Sequence, residues 1–122
     1  MSMAAAILDA RPFDAADETR TPPNASIDIV RIGNHSIARY TFQPGWTWHD
    51  SVGPTAGTDH CMKEHVGYVE SGALEVWLTD GTRTTMRAGE AYVIPPGHDA
   101  KVVGDEPFVG IEFASAESYA KS

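Results

Sequence analysis

From Ile27 onward the chain reads mostly as short runs in which apolar and polar positions alternate, separated by clusters of Gly, Pro, Asn and Asp. A period of two is what a strand with one buried face produces. Ile27 and Ile29 begin the pattern, Gly33-Asn34 marks a turn into a second strand at Ser36 to Phe42, and Pro44-Gly45 breaks the chain again. Trp46 to His49 then predicts a short strand with both tryptophans on one face and His49 on the other. Ser51 to Thr58, rich in Gly, Pro and Thr, predicts a loop. The strand expected over Glu64 to Glu70 puts His65, Gly67 and Val69 on one face and Val66 and Tyr68 on the other. After Ser71-Gly72 a strand is expected from Ala73 to Thr79, and Asp80-Gly81 is a strong hairpin signal that pairs Thr82 to Met86 back across it. Ala91 to Ile94, Ala100 to Val103 and Phe108 to Phe113 complete the strands, with a sharp corner at Pro95-Pro96-Gly97. Residues 1–26 show no sustained period and predict an arm over a single domain of residues 27–122. Ser115 is placed to cap a short terminal helix through Tyr119.

Nine or ten short strands without a long helix give an all-β fold, a closed barrel or a sandwich. Composition agrees, since 122 residues with eleven Gly and eight Pro suit one turn-rich domain. A net charge of -8 argues against nucleic acid or an anionic membrane surface as partner, because both require a basic footprint. The single cysteine excludes an internal disulfide and suits a reducing compartment. No apolar run is long enough to span a bilayer, and residues 1–8 lack the basic flank of a signal peptide. A cytoplasmic location is therefore expected.

The chemistry concentrates in two places. Thr58 to Gly72 holds Cys61, His60 and His65 and runs directly into a strand, and Gly89 to Asp99 ends a strand in Pro-Pro-Gly and presents His98. The two segments are expected to form halves of one metal site. No nucleophile elbow, phosphate-binding glycine loop or dinucleotide fingerprint occurs, which leaves serine hydrolase, kinase and dehydrogenase readings without support.

These segments resemble the cupins, small jelly-roll barrels defined by two motifs. The first family motif runs Gly, five residues, His-x-His, three or four residues, Glu, six residues, Gly; the second runs Gly, five residues, Pro-x-Gly, two residues, His, three residues, Asn. In this sequence Gly89, Pro95 and Gly97 fall in register with the second motif, while its His and Asn positions are Ala100 and Gly104. With Gly72 closing the first motif, its Glu position is His65 and its second His falls on Cys61 or His60. The resemblance spans Gly45 to Phe113 and is nearest to small bacterial cupins carrying W-x-W, C-x-x-x-H-x-G-Y and P-P-G-H-D. It implies a cupin jelly-roll β-barrel in which the framework is kept and the ligands are exchanged.

On that frame Cys61, His65 and His98 are the expected metal ligands, with His49 and His60 as further candidates. Trp46, Trp48 and Asp99 are candidates for the surrounding pocket, Asp99 as a carboxylate orienting His98. Each has an alternative: Cys61 as a small buried hydrophobe, His65 as a hydrogen-bonded core histidine, His98 as a cap on its turn, Asp99 as a surface turn residue, and the tryptophans as plain core. A thiolate with two imidazoles is a softer donor set than three His and one Glu, so zinc is expected, with iron as the alternative. The functional expectation is a metal-dependent enzyme on a small organic molecule, an isomerase, lyase or dioxygenase. The alternative is a non-catalytic small-ligand binding or sensor module. Apolar strand positions such as Val66, Tyr68, Ile111 and Phe113 exceed what one small barrel buries, which, with the habit of the cupins, points to a homodimer.

Overall fold

A computed structural model describes residues 7–113. Nine strands form among them: β1 (Glu18–Arg20), β2 (Ala25–Ile32), β3 (His35–Phe42), β4 (His65–Ser71), β5 (Ala73–Leu78), β6 (Arg83–Arg87), β7 (Ala91–Ile94), β8 (His98–Val102) and β9 (Phe108–Phe113). All pair antiparallel into a six-stranded sheet ordered β1-β2-β3-β9-β4-β7 and a three-stranded sheet ordered β6-β5-β8. The two sheets face each other as a jelly roll. The expected terminal helix from Ser115 lies outside the described residues.

The alternation read from the sequence is the one that builds the core. Ile27 and Ile29 of β2, Tyr40 and Phe42 of β3 and Phe108 of β9 point inward from the large sheet, and Leu74, Val76, Ala100 and Val102 meet them from the small one. Aromatic rings fill the space between: Trp46 stacks flat on Phe42 with centroids 3.8 Å apart, and Phe108 lies 5.8 Å from Phe42 on another side. The β5–β6 hairpin turns through Asp80-Gly81. Gly81 has φ 91, and Asp80 Oδ1 accepts from Thr82 N at 2.8 Å, so both residues serve the turn.

The structure departs from the sequence reading in three local respects. Within residues 1–26, Glu18–Arg20 pairs with β2 as an edge strand, Glu18 opposite Ile29, and Arg31 of β2 forms an ion pair with Glu18. Trp46 to His49 is not a strand. Thr47 is extended and bridges Lys101, and its hydroxyl accepts from Asp50 N at 3.2 Å, which starts a helical turn α1 (Trp48–Ser51) followed by α2 (Gly53–Ala56) in the expected loop. A threonine that satisfies a free helix N–H competes with continued extension. Lastly, β8 begins at His98 instead of Ala100, because His98 pairs with Leu78 and so joins the small sheet.

Candidate metal centre

Three elements deliver three ligand-type side chains to one point. His65 is the first residue of β4 and shares its inward face with Gly67 and Val69; His98 is the first residue of β8 and shares its inward face with Ala100 and Val102. Cys61 precedes β4 and is tied to the start of β8 by backbone bonds, Cys61 N to His98 O and Gly97 N to Cys61 O, both 2.8 Å. This bridge joins the two segments that the sequence read as halves of a site. All three side chains are buried, and their donor atoms lie within 4.8 Å of one another.

The hydrogen bonds orient both imidazoles. His98 Nδ1 lies 2.7 Å from the Pro95 carbonyl oxygen, which only accepts, so Nδ1 carries the proton and Nε2 is left as the coordinating nitrogen. His65 Nδ1 lies 2.6 Å from Glu112 Oε1 and its Nε2 lies 3.5 Å from Cys61 Sγ. Glu112, buried on β9, also accepts from Tyr92 OH at 2.6 Å. Tyr40 meets the His65 ring edge-on at 6.2 Å.

This packing shifts the proton affinities. Burial raises the Cys61 thiol, but hydrogen bonds to His65 and His98 and their positive charge outweigh it and bring the group down from 9.0 to about 6. Burial lowers His65, yet the Glu112 charge and the bonds to Cys61 and Glu112 raise it from 6.5 to about 9. In the metal-free protein near neutral pH the two form a thiolate–imidazolium pair. Tyr92 is pushed up, by burial and then by Glu112, and stays a neutral donor.

The donor set fits a divalent cation. Bonds of about 2.3 Å to sulfur and about 2.0 Å to nitrogen at a tetrahedral angle separate the two donors by ~3.5 Å, and Cys61 Sγ and His65 Nε2 are 3.5 Å apart. Both histidines have an oxygen acceptor behind the coordinating ring, the usual support for a metal-bound imidazole. A buried thiolate and a buried carboxylate also supply two negative charges where a dication would balance them.

Residues 39–113 match the cupin domain family. The chain belongs to the cupins. No curated protein matches the sequence. Among solved structures, this cupin resembles a Rhizobium leguminosarum protein of unknown function at TM-score 0.64 and 20% identity, covering 88% of this chain and 96% of that one. It resembles a Cupin 2 conserved barrel domain protein from Salinispora arenicola at TM-score 0.60 and 18% identity, covering 88% of each. A third likeness is to Lactobacillus farciminis oxalate decarboxylase, at TM-score 0.57 and 20% identity over 80% of this chain and only 30% of that one. These likenesses concern the fold.

Other candidates sit elsewhere. His49 is on the surface beside Asp50, and neither it nor the half-buried His60 belongs to the cluster of donors. Asp99 faces away from His98: it is the intervening residue of β8, pairs with Trp77, and its Oδ1 accepts from Ala100 N at 2.8 Å. Trp46 and Trp48 line the cavity beside the cluster together with Phe42, Leu74 and Ile94. That cavity is small, about 20 Å³, with room for about one ordered water. The residue missed by sequence reasoning is Glu112. Its signal was present, since Phe108, Gly110 and Glu112 alternate on one face of the last strand.

Proposed function

We propose that this cupin is a metal-dependent enzyme acting on a small organic molecule, with Cys61, His65 and His98 holding a divalent cation, zinc in first place and iron as the alternative. The observation that carries the reading is the buried cluster of these three donors, all within 4.8 Å. A cation there would supply Lewis acidity toward a carbonyl or enolate oxygen. Three protein donors leave a coordination position for substrate or water, as catalytic sites do and closed structural sites do not.

The chain's own residues supply the rest. Cys61 contributes a full negative charge, and the buried aromatic walls keep bulk water from the donors. The indole Nε1 atoms of Trp46 and Trp48 are buried without a hydrogen-bond partner among the described residues, and both rings line the cavity. Two such donors favour a ligand whose inserted end carries oxygen acceptors. The small cavity restricts that end to a carbonyl- or carboxylate-sized group. Isomerase, lyase and dioxygenase chemistries all use such a group.

Metal analysis tests the reading. Protein expressed with zinc, iron and manganese available is expected to retain about one zinc or iron per chain, and Cys61→Ser is expected to lose most of it. Wild-type protein that retains only manganese or no metal, with Cys61→Ser identical to it, overturns the proposal in favour of a metal-free binding or sensor module.

A further inference from the structure

Behind the proposed ligand His65 lies a second layer that none of the cupin motif positions supplies. The Glu position of the first motif is His65 here, and a carboxylate returns from β9 as Glu112, on the far side of the imidazole from Cys61. Three features of the fold make room for it. Gly67 sits directly opposite Glu112 in the β4–β9 ladder, and a Cβ there would lie 3.0 Å from Glu112 Cγ. Gly110, two residues before Glu112, faces the Tyr92 hydroxyl, which a Cβ would approach to 2.9 Å. Tyr92 itself pairs with Gly67 across the β4–β7 ladder, so the hydroxyl that holds Glu112 arrives from the opposite neighbour of β4.

We propose that Glu112, held by Tyr92, is the positioning residue of this centre: it keeps the His65 proton on Nδ1 and aims Nε2 at Cys61 and His98. The inference rests on the metal-site reading for its consequence, although not for its geometry. A carboxylate only accepts, so the 2.6 Å contact assigns a proton to His65 Nδ1; the proton that faces the Cys61 thiolate in the metal-free protein is the one on Nε2, and it is the one a cation would displace. The two histidines differ in this respect. His98 is oriented by a neutral carbonyl, Pro95 O, whereas His65 is oriented by a charged group, and a charged acceptor gives the stronger bond and the more basic imidazole. Tyr92 occupies the second oxygen of Glu112, which stops the carboxylate from rotating toward the donors it supports.

The test compares wild type, Glu112→Gln and Tyr92→Phe by competitive zinc titration and by nitrogen NMR of the histidine rings, with folding monitored separately by denaturation. Glu112→Gln keeps the shape and an acceptor oxygen but removes the charge. It is expected to weaken zinc binding by about 10- to 100-fold, to move the His65 Nδ1–H resonance upfield, and to leave that of His98 in place. Tyr92→Phe is expected to act in the same direction with a smaller loss. A merely structural role would lower stability in both variants without changing the zinc affinity of the folded protein or the His65 resonance. Folded Glu112→Gln with wild-type zinc affinity and an unchanged His65 signal overturns the proposal. If the wild type binds no zinc, the metal reading alone fails and the NMR comparison decides: a His65 Nδ1–H signal that depends on Glu112 upholds the positioning role, and one that does not rejects it.

Discussion

Gly67 and Glu112 face each other across the β4–β9 ladder so closely that a Cβ on Gly67 would stand 2.1 Å from the Ile111 carbonyl oxygen. No rotamer relieves a clash with backbone, so the two strands would have to part. Gly67→Ala is expected to destabilise the protein by about 1–3 kcal/mol, the range for overpacking a tight core. Urea denaturation checks this. A change below about 0.5 kcal/mol would show that the strands separate freely and that the Glu112 contacts tolerate movement.

In the metal-free protein the Cys61–His65 pair should contribute a stability that changes little with pH. Cys61, with its pKa lowered from 9.0 to about 6, contributes stability that is complete above 9.0 and lost as pH falls through about 6. His65, raised from 6.5 to about 9, contributes stability that is complete below 6.5 and lost as pH rises through about 9. Between 6.5 and 9 one contribution grows while the other fades; below 6 only that of His65 remains and above 9 only that of Cys61, so the sum stays nearly level, with a small loss on the acid side because the Cys61 shift is the larger. Ultraviolet absorbance of the thiolate should titrate near pH 6, and Cys61→Ser should abolish that signal. A thiolate that appears only above pH 8 contradicts the pairing.

His49→Ala and His60→Ala serve as controls on the ligand set. Neither residue lies in the cluster of donors, and His49 is a surface residue. Both variants are expected to keep wild-type metal content and affinity within about twofold, by the additivity expected of separate sites. A tenfold loss in either would mean that the loop before Cys61 closes onto the centre when metal binds.

Self-association is expected through the outer face of the large sheet. Val66 and Val93 pair directly across β4 and β7 and are 43% and 66% exposed, with Tyr68 at 43% and Phe113 at 49% beside them. β7 is also an edge strand, whose free backbone groups invite pairing. Light scattering at micromolar concentration should give twice the chain's 13.2 kDa, and Val93→Glu together with Val66→Lys should return it to one. A wild-type monomer under these conditions rejects the dimer. Among the described residues no helix is long and apolar enough to cross a bilayer.

The sequence by itself determined the strands β2 to β9, the hairpin at Asp80-Gly81 and the likeness to the cupin framework, because alternation and turn chemistry are properties of neighbouring residues. It also pointed to Cys61, His65 and His98 together, since motif spacing carries a barrel's register from one strand to another. Only the tertiary structure decided what stands behind those residues. The sequence offered Asp99 as the carboxylate for an imidazole because it adjoins His98, but adjacent residues of a strand face opposite ways, and Asp99 turns to its own backbone. The carboxylate that does orient an imidazole is Glu112, distant from His65 in the chain and brought beside it only because β9 lies next to β4 in the sheet. The same distinction explains Trp46 and Trp48. Both are buried, as two residues on one strand face would be, but Trp48 is carried inward by the helical turn that Thr47 starts, while Trp46 precedes that turn and stacks on Phe42. Local periodicity reports which side chains avoid water, and the path that takes them there depends on what the distant chain leaves room for.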